Sequence, residues 1–441
     1  MNRLKNFPFV VLALLSLIQN CTPSEKKADD TGEELRAFIM ENMPKTVREC
    51  KKDSVGHLAL PKPYSVPCVR GGFQDMFYWD TYFTNVGLFR VDDFDQARNN
   101  VDNILFLIDS RGFMPNGSNE VFLNRSQPPY ASMMVKDIYE ISKDKAWLSE
   151  ASKILEKEYT FWMTKRITPS GLNRYSNHAT DAELLEFYDY LVKKRFPNLD
   201  TTLYQADSAK IAFASHHLAE AESGWDFNPR FQMHCEDFNP IDLNSNLYFY
   251  ERNFAYFRKE LGLDSVDVWE ERSEKRKSLI NTHCLNPSNG LFYDYDFKND
   301  KLSDTYSAAS MNVLWSGLAT QGQADTLISN LAKLEFPYGI AACETGSRQF
   351  TYQWDYPNGW ASFHYITIKG LDNYGFTEAA KRIAKKYVDS WNAIYKETGN
   401  LWEKYNVAEG NLEVKNEYEM PPFMGWTAGS YLYASDYLKG D

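Results

Sequence analysis

The chain has 441 residues, a formal net charge of −12 and no basic stripe, which excludes nucleic acid as a partner and leaves nothing to draw it to an anionic membrane. Hydrophobic residues make up 43% and aromatics 15%, with 28 Tyr, 28 Phe and 11 Trp, ample material for a large core.

Residues 1–21 read as an export signal of the lipoprotein type. Arg3 and Lys5 give a positive start, and Phe7 to Ile18 is an apolar run too short to span a bilayer stably. Cys21 stands where the lipidated first residue of a mature chain is expected. Gln19 and Asn20 depart from the small residues usual before such a cysteine. An ordinary secretory signal is the alternative, and it too takes the protein out of the cytoplasm. Residues 22–33, rich in charge, read as a flexible tether, and 34–441 as one catalytic domain. The expected product is a monomeric, lipid-anchored protein of the bacterial periplasm or outer membrane. The remaining five cysteines are odd in number and form no CxxC, so neither a disulfide framework nor a zinc site is indicated.

Helical periodicity dominates from residue 34 onward. Asp92 or Asp93 can cap a helix with Ala97, Val101, Ile104, Leu105 and Ile108 on one face, ended by Gly112. Further helices are predicted over 145–165, 181–193, 206–222, 243–261, 265–282, 306–319, 321–334 and 358–371. Thr377 can cap the clearest one, with Ala380, Ile383, Ala384, Tyr387, Val388, Trp391 and Tyr395 at spacings of three and four. A last helix is predicted from Gly425 to Tyr437, and Gly290 to Phe297 is the best strand signal. The pattern fits an all-α fold, an (α/α)6 barrel with short β-hairpins in its loops; helix counting alone also allows an α-solenoid.

The chemistry lies between the helices. Arg70 to Phe83 holds paired glycines, which let backbone approach a ligand, and the pair Trp79-Asp80; a helix start with Asp80 near its N-terminus is the plainer alternative. Pro115-Asn116-Gly117-Ser118-Asn119 precedes Arg125-Ser126-Gln127-Pro128-Pro129, a fixed polar edge with a rigid cation. Glu222 to Arg230 sets Asp226 between Trp225 and Phe227, where enclosing rings would raise a carboxyl's pKa toward that of a general acid. The plainer alternative pairs Asp226 with Arg230. Trp402-Glu403-Lys404-Tyr405 offers a base, or else a surface Glu-Lys pair, and Glu417-Tyr418 a hydroxyl binder. Gln353-Trp354-Asp355-Tyr356-Pro357-Asn358-Gly359-Trp360 packs two indoles, a carboxylate and two amides into eight residues. Aromatic faces bind sugar rings, and carboxylates and amides bind hydroxyls. Trp79, Trp225, Trp354, Trp360, Trp402 and Trp426 sit in these motifs, which favours a carbohydrate site over core packing.

At these residues the chain resembles the trehalases of glycoside hydrolase family 37. Gln353 to Trp360 meets the family signature Gln-Trp-Asp-x-Pro-x-Gly-Trp in full, and Phe73, Trp79, Asp80 and Tyr82 meet the first signature in part. The motifs follow family order from about residue 65 to 435. The resemblance implies an (α/α)6 barrel and inverting hydrolysis of α,α-trehalose without a cofactor, Asp226 being the general acid and Glu403 the general base. It also implies sugar contacts at Phe73, Trp79, Asp80, Asn116, Arg125, Gln127, Gly224, Gln353, Trp354 and Glu417. Some positions depart from the family. Gly72 replaces a substrate-binding Arg, which leaves Arg70 as a shifted substitute; Asp75 replaces Glu, Phe77 replaces Tyr, and Asn119 stands for Arg. The Arg-Pro-Glu-Ser segment is absent from 177–186, so Arg125 is the one family arginine clearly kept. Another α-glucoside as substrate, or a non-catalytic sugar-binding lipoprotein, are the alternatives.

No metal pattern stands out. The seven histidines include no HExxH, His216 and His217 point in different directions on a helix, and Asp294, Asp296 and Asp300 lack the EF-hand Gly and distal Glu.

Overall fold

A computed structural model describes residues 31–52 and 55–440, so the signal and Cys21 lie outside the described residues. The helices are α1 (Thr31–Asn42), α2 (Tyr78–Leu88), α3 (Phe94–Arg111), α4 (Ala131–Ser142), α5 (Lys145–Lys165), α6 (Asp181–Lys194) and α7 (Asp207–Ser223). They continue as α8 (Ile241–Leu261), α9 (Val266–His283), α10 (Asn312–Trp315), α11 (Gln321–Ser329), α12 (Ala361–Asn373), α13 (Thr377–Thr398) and α14 (Gly425–Lys439).

These helices form the (α/α)6 barrel. The inner ring runs α2, α4, α8, α10, α12 and α14, each against the next, and α14 returns onto α2. Around it α3 and α5 cover α2, α4 and α8, while α9 covers α8. α13 covers α12 and α14, with α1 outside it. The α6–α7 pair forms a helix hairpin of its own. The ring closes where glycines let two helices meet. A Cβ on Gly429 of α14 would stand 2.0 Å from the Phe83 carbonyl of α2, and one on Gly87 2.8 Å from Gly429 Cα.

The predicted helix ends hold where the signals are local. Asp93, not Asp92, caps α3 by accepting from the Gln96 N–H, and Gly112 ends it in the left-handed region. Other expectations are corrected. α1 starts at Thr31, so the last three residues read as tether are helical, with Thr31 and Leu35 buried. Thr377 is the first residue of α13, not its cap. Of 306–319 only 308–315 is helical, as a 3-10 turn running into α10, and the helix expected over 321–334 stops at Ser329.

Nine short strands occur among the described residues. β1 (Val47–Arg48) pairs with β2 (Tyr64–Ser65), and β3 (Phe238–Asn239), β4 (Tyr295–Asp296) and β5 (Lys301–Leu302) form a three-stranded sheet. β6 (Glu335–Phe336) pairs with β7 (Gly339–Ile340), and β8 (Asn358–Trp360) with β9 (Lys404–Asn406). The Gly290–Phe297 arm is thus reduced to β4. Residues 358–360, read as the start of a helix, are strand β8, and α12 begins at Ala361. Cys50, Cys68, Cys235, Cys284 and Cys343 are free thiols. Among the described residues no helix is long and apolar enough to cross a membrane.

Candidate active site

The loops at the N-terminal ends of α2 and α14 surround a small cavity of about 200 Å3. Trp79 and Asp80 reach it from the first turn of α2, and Trp426 from the first turn of α14. Gly72, Phe73, Phe77, Asn116, Arg125, Gln127, Gly224, Asp226, Trp354, Glu403 and Tyr418 come from loops, and Phe122 from a 3-10 turn. Asp226 and Glu403, far apart in sequence, face the same space.

Backbone bonds fix these loops. The Asn116 carbonyl accepts from Tyr78 N–H, and Asn116 N–H donates to the Arg125 carbonyl, so the Pro-Asn-Gly turn is clamped between α2 and the Arg125 loop. Glu222, fully buried at the end of α7, pairs with Arg166 through two 2.8 Å contacts and accepts from the N–H groups of Ser126 and Ser176. One buried carboxylate therefore joins three segments around the cavity. Gly224 follows with φ 72°, and a Cβ there would meet the Trp79 indole at 2.8 Å. Glycine lets the ring lie against the backbone beside Asp226.

The tryptophans converge, with one exception. Trp354 stacks on Trp360 at 3.6 Å and 1°, and lies within 5.7 Å of both Trp79 and Trp225. Trp426 stands edge-on to Trp79. Trp79, Trp354 and Trp426 line the cavity, and Trp225 and Trp360 support them from behind. Trp402 stays apart, its indole N–H donating to Thr398 Oγ1.

The two carboxylates have different surroundings. Asp226 is not enclosed by Trp225 and Phe227, as expected from the sequence: its side chain is 34% exposed. Nor does it pair with Arg230, which is fully buried between Asp242 and Asp294 and lies over Trp225. Its partner is Arg195, just beyond α6, whose Nη2 donates to Oδ2 at 3.0 Å. Arg195 Nε also donates to Glu417 at 2.5 Å, and the two carboxylates outweigh burial to raise its pKa. Gln353 donates to the Asp226 carbonyl at 2.9 Å and to Glu417 at 3.3 Å. Gln353 and Glu417, expected as sugar contacts, therefore bear on Asp226 from behind the lining residues.

Glu403 is not a surface residue. Lys404, wholly buried, donates to its Oε2 at 2.8 Å, and Tyr418 donates to Oε1 at 2.7 Å. Lys404 also lies over the Trp360 ring at 4.6 Å. Both oxygens thus accept hydrogen bonds, one from a cation, an arrangement complementary to a carboxylate.

Asp80 lines the same cavity as these two carboxylates. Burial pushes its carboxyl up to about 8, and the charges of Glu403 and Asp226 push the same way. It is thus protonated near neutrality and can donate to a hydroxyl. The folded pKa is above the unfolded one, so its stabilising effect is complete below about pH 3.9 and is lost as pH rises through about 8. Asp80→Asn should therefore flatten the fall in urea stability between pH 4 and 8, a slope limited to about 1.4 kcal/mol per pH unit for one proton. It should also weaken substrate binding. A variant with the wild-type pH slope would refute this account. Arg125, lowered by burial to about 10, stays charged across that range.

The family departures have structural reasons. Asp75 and Asn119 face each other: Asn119 Nδ2 contacts both Asp75 oxygens at 3.3–3.4 Å, and His57 pairs with Asp75 at 2.6 Å. This pair ties loops together. Gly72 lines the cavity with nothing within 4 Å of its Cβ direction, and Arg70 is exposed rather than reaching in. Arg195 lies at the far end of α6, outside the 177–186 stretch where the family motif leads one to expect an arginine. Its one sequence signal is an Arg before Phe196-Pro197 at a helix end.

A family model described as Trehalase matches residues 20–438. Periplasmic trehalase from Pseudomonas aeruginosa is 31% identical over 433 residues, covering 92% of this chain and 77% of that protein. Periplasmic trehalase from Xanthomonas campestris pv. campestris is 33% identical over 417 residues, covering 90% and 72%. Among solved structures, neutral trehalase Nth1 from Saccharomyces cerevisiae superposes with a TM-score of 0.73 at 28% identity, covering 91% of this chain and 80% of that one. The GH63 mannosylglycerate hydrolase from Thermus thermophilus shares the fold, with a TM-score of 0.64 at 15% identity over 91% and 100% of the two chains.

Proposed function

From the premise that this chain belongs to the trehalase family, we propose that it hydrolyses α,α-trehalose to glucose with inversion at the attacked carbon. The chain is a glycoside hydrolase. The observation that carries the mechanistic reading is a single cavity lined by Asp226, Glu403 and three tryptophans.

In this reading Asp226 protonates the glycosidic oxygen and Glu403 takes a proton from water attacking the opposite face, as inverting pairs do. Lys404 and Tyr418 hold Glu403 with a lone pair left for the water. Arg195 positions the Asp226 carboxyl and must give up part of that contact when the acid carries its proton. The indoles of Trp79, Trp354 and Trp426 receive the apolar sugar faces. Asp80, Asn116, Arg125 and Gln127 meet hydroxyls, and Gly224 lets the Trp79 indole lie close beside Asp226. Trehalases of this name in the relatives are periplasmic, and the same location is inferred here, with lipid attachment at Cys21.

The test is proton NMR of the first-formed products. Inversion turns the attacked glucose into the β-anomer and leaves the departing one α, so the two should appear in equal amounts. Release of α-glucose alone, or turnover only of other α-glucosides in a parallel panel, would reject the proposal.

A further inference from the structure

Away from the sugar cavity, three metal-ligating side chains meet that are separated in sequence. His216 lies on α7, His234 in the loop after Phe231, and Asp237 just before β3. Each offers one ligand atom, and the three atoms lie within 4.8 Å of one another. The two imidazoles stand edge-on, 5.3 Å between centroids. His217, the sequence neighbour of His216, takes no part: it is fully buried and lies 3.5 Å from Glu220.

We infer that His216, His234 and Asp237 bind one divalent cation of the zinc type, with water in the remaining positions. Two imidazoles and a carboxylate are donors that zinc, nickel, copper and cobalt accept, whereas calcium and magnesium prefer oxygen alone. Ligands about 2.0–2.2 Å from a tetrahedral ion lie about 3.4 Å apart, so the cluster has to contract by an ångström or so. The side chains have that freedom. His234 is exposed, and the partner of Asp237 is Lys298, at 3.3 Å from both oxygens, itself 64% exposed. An arriving dication displaces that ammonium into solvent at little cost.

Glu236 supplies an outer layer. Its carboxylate stands 4.0 Å from His216 Nδ1 and is held by the hydroxyls of Ser176 and Ser215 at 2.5 and 2.7 Å. A carboxylate behind a ligating imidazole is the usual support for such a ring. His216 Nδ1 now takes the Glu236 N–H at 3.3 Å, a long bond that metal binding would exchange for the carboxylate. The bound ion would clamp α7, which leads to Gly224 and Asp226, to the segment entering α8 of the inner ring.

The experiment uses the full chain stripped with EDTA and titrated with zinc chloride by calorimetry. One ion per chain should bind and raise the unfolding temperature, and cobalt in its place should give visible d–d bands of mixed nitrogen and oxygen ligation. His234→Ala, at an exposed side chain, and Asp237→Asn, which keeps the shape of the carboxyl, should each weaken zinc at least about tenfold without altering the circular dichroism spectrum. Zinc affinity unchanged in both variants, or no binding at millimolar zinc, overturns the inference.

Discussion

Asp226→Asn is expected to lower turnover of trehalose by roughly 10²–10⁴-fold while sparing α-glucosyl fluoride, whose leaving group needs no proton. The reasons are local. The amide has the shape of the carboxyl, and its oxygen can still accept from Arg195, so the loop should keep its position. That loop is held elsewhere: Gln353 binds the Asp226 carbonyl, Trp354 N–H donates to the Phe227 carbonyl, and Asn228 caps the Trp225 carbonyl at 2.7 Å. What disappears is the transferable proton. Equal losses on both substrates would show that Asp226 is not the acid.

Glu403→Gln should give the other pattern, a loss of roughly 10²–10⁴-fold on both trehalose and the fluoride, since water must be deprotonated in either case. It carries a stability penalty that Asp226→Asn does not. Lys404 is wholly buried, and Glu403 supplies its counter-charge at 2.8 Å. Removing one member of a buried ion pair costs about 3–5 kcal/mol; the amide oxygen that remains, and the Trp360 and Tyr418 rings around the ammonium, place the cost near the lower bound. Thermal unfolding followed by circular dichroism measures this cost. Calorimetry with trehalose tests whether the cavity survives. Retained hydrolysis with normal stability would remove Glu403 from the mechanism.

Different parts of the architecture were legible in the sequence for different physical reasons. α3, α5 and α13 cover the inner ring from outside, with one wet face, and each shows helical periodicity. α2 shows only a helix start near Asp80, because its faces are packed nearly all round, and α4 begins without a side-chain cap to announce it. In α2 every residue except Asp80 is buried, so no polar stripe marks its period. α10 is a single turn in the same ring, too short for any periodic signal.

The site was legible where one short segment carries the chemistry. Trp79-Asp80, Asp226 and Trp354 stand in the cavity wall. Partners supplied by folding were not. Arg195 arrives beyond the α6–α7 hairpin's first helix, and no local pattern links it to Asp226 some thirty residues on. Glu403-Lys404 looks like a solvated pair because adjacent charges usually are one. β9 pairs with β8 and buries both residues. The octamer 353–360 divides the same way. Trp354 faces the cavity, while Asp355 turns from it to pair with Arg348 at 3.1 Å.

The return of α14 onto α2 also governs how this enzyme is made. The two helices that complete the ring are the first and last of its inner members, separated by most of the chain. Such a contact has high order: it forms late and slowly, after the loop entropy of the intervening chain has been overcome. Until the C-terminal helix emerges, α2 presents Phe83 and Gly87 to solvent on the face that α14 will cover, and the wall of the cavity lacks Trp426. A chain interrupted before residue 425 would hold both proposed catalytic carboxylates and still have an open, aggregation-prone ring. Assembly of the catalytic cavity is thereby tied to completion of the polypeptide.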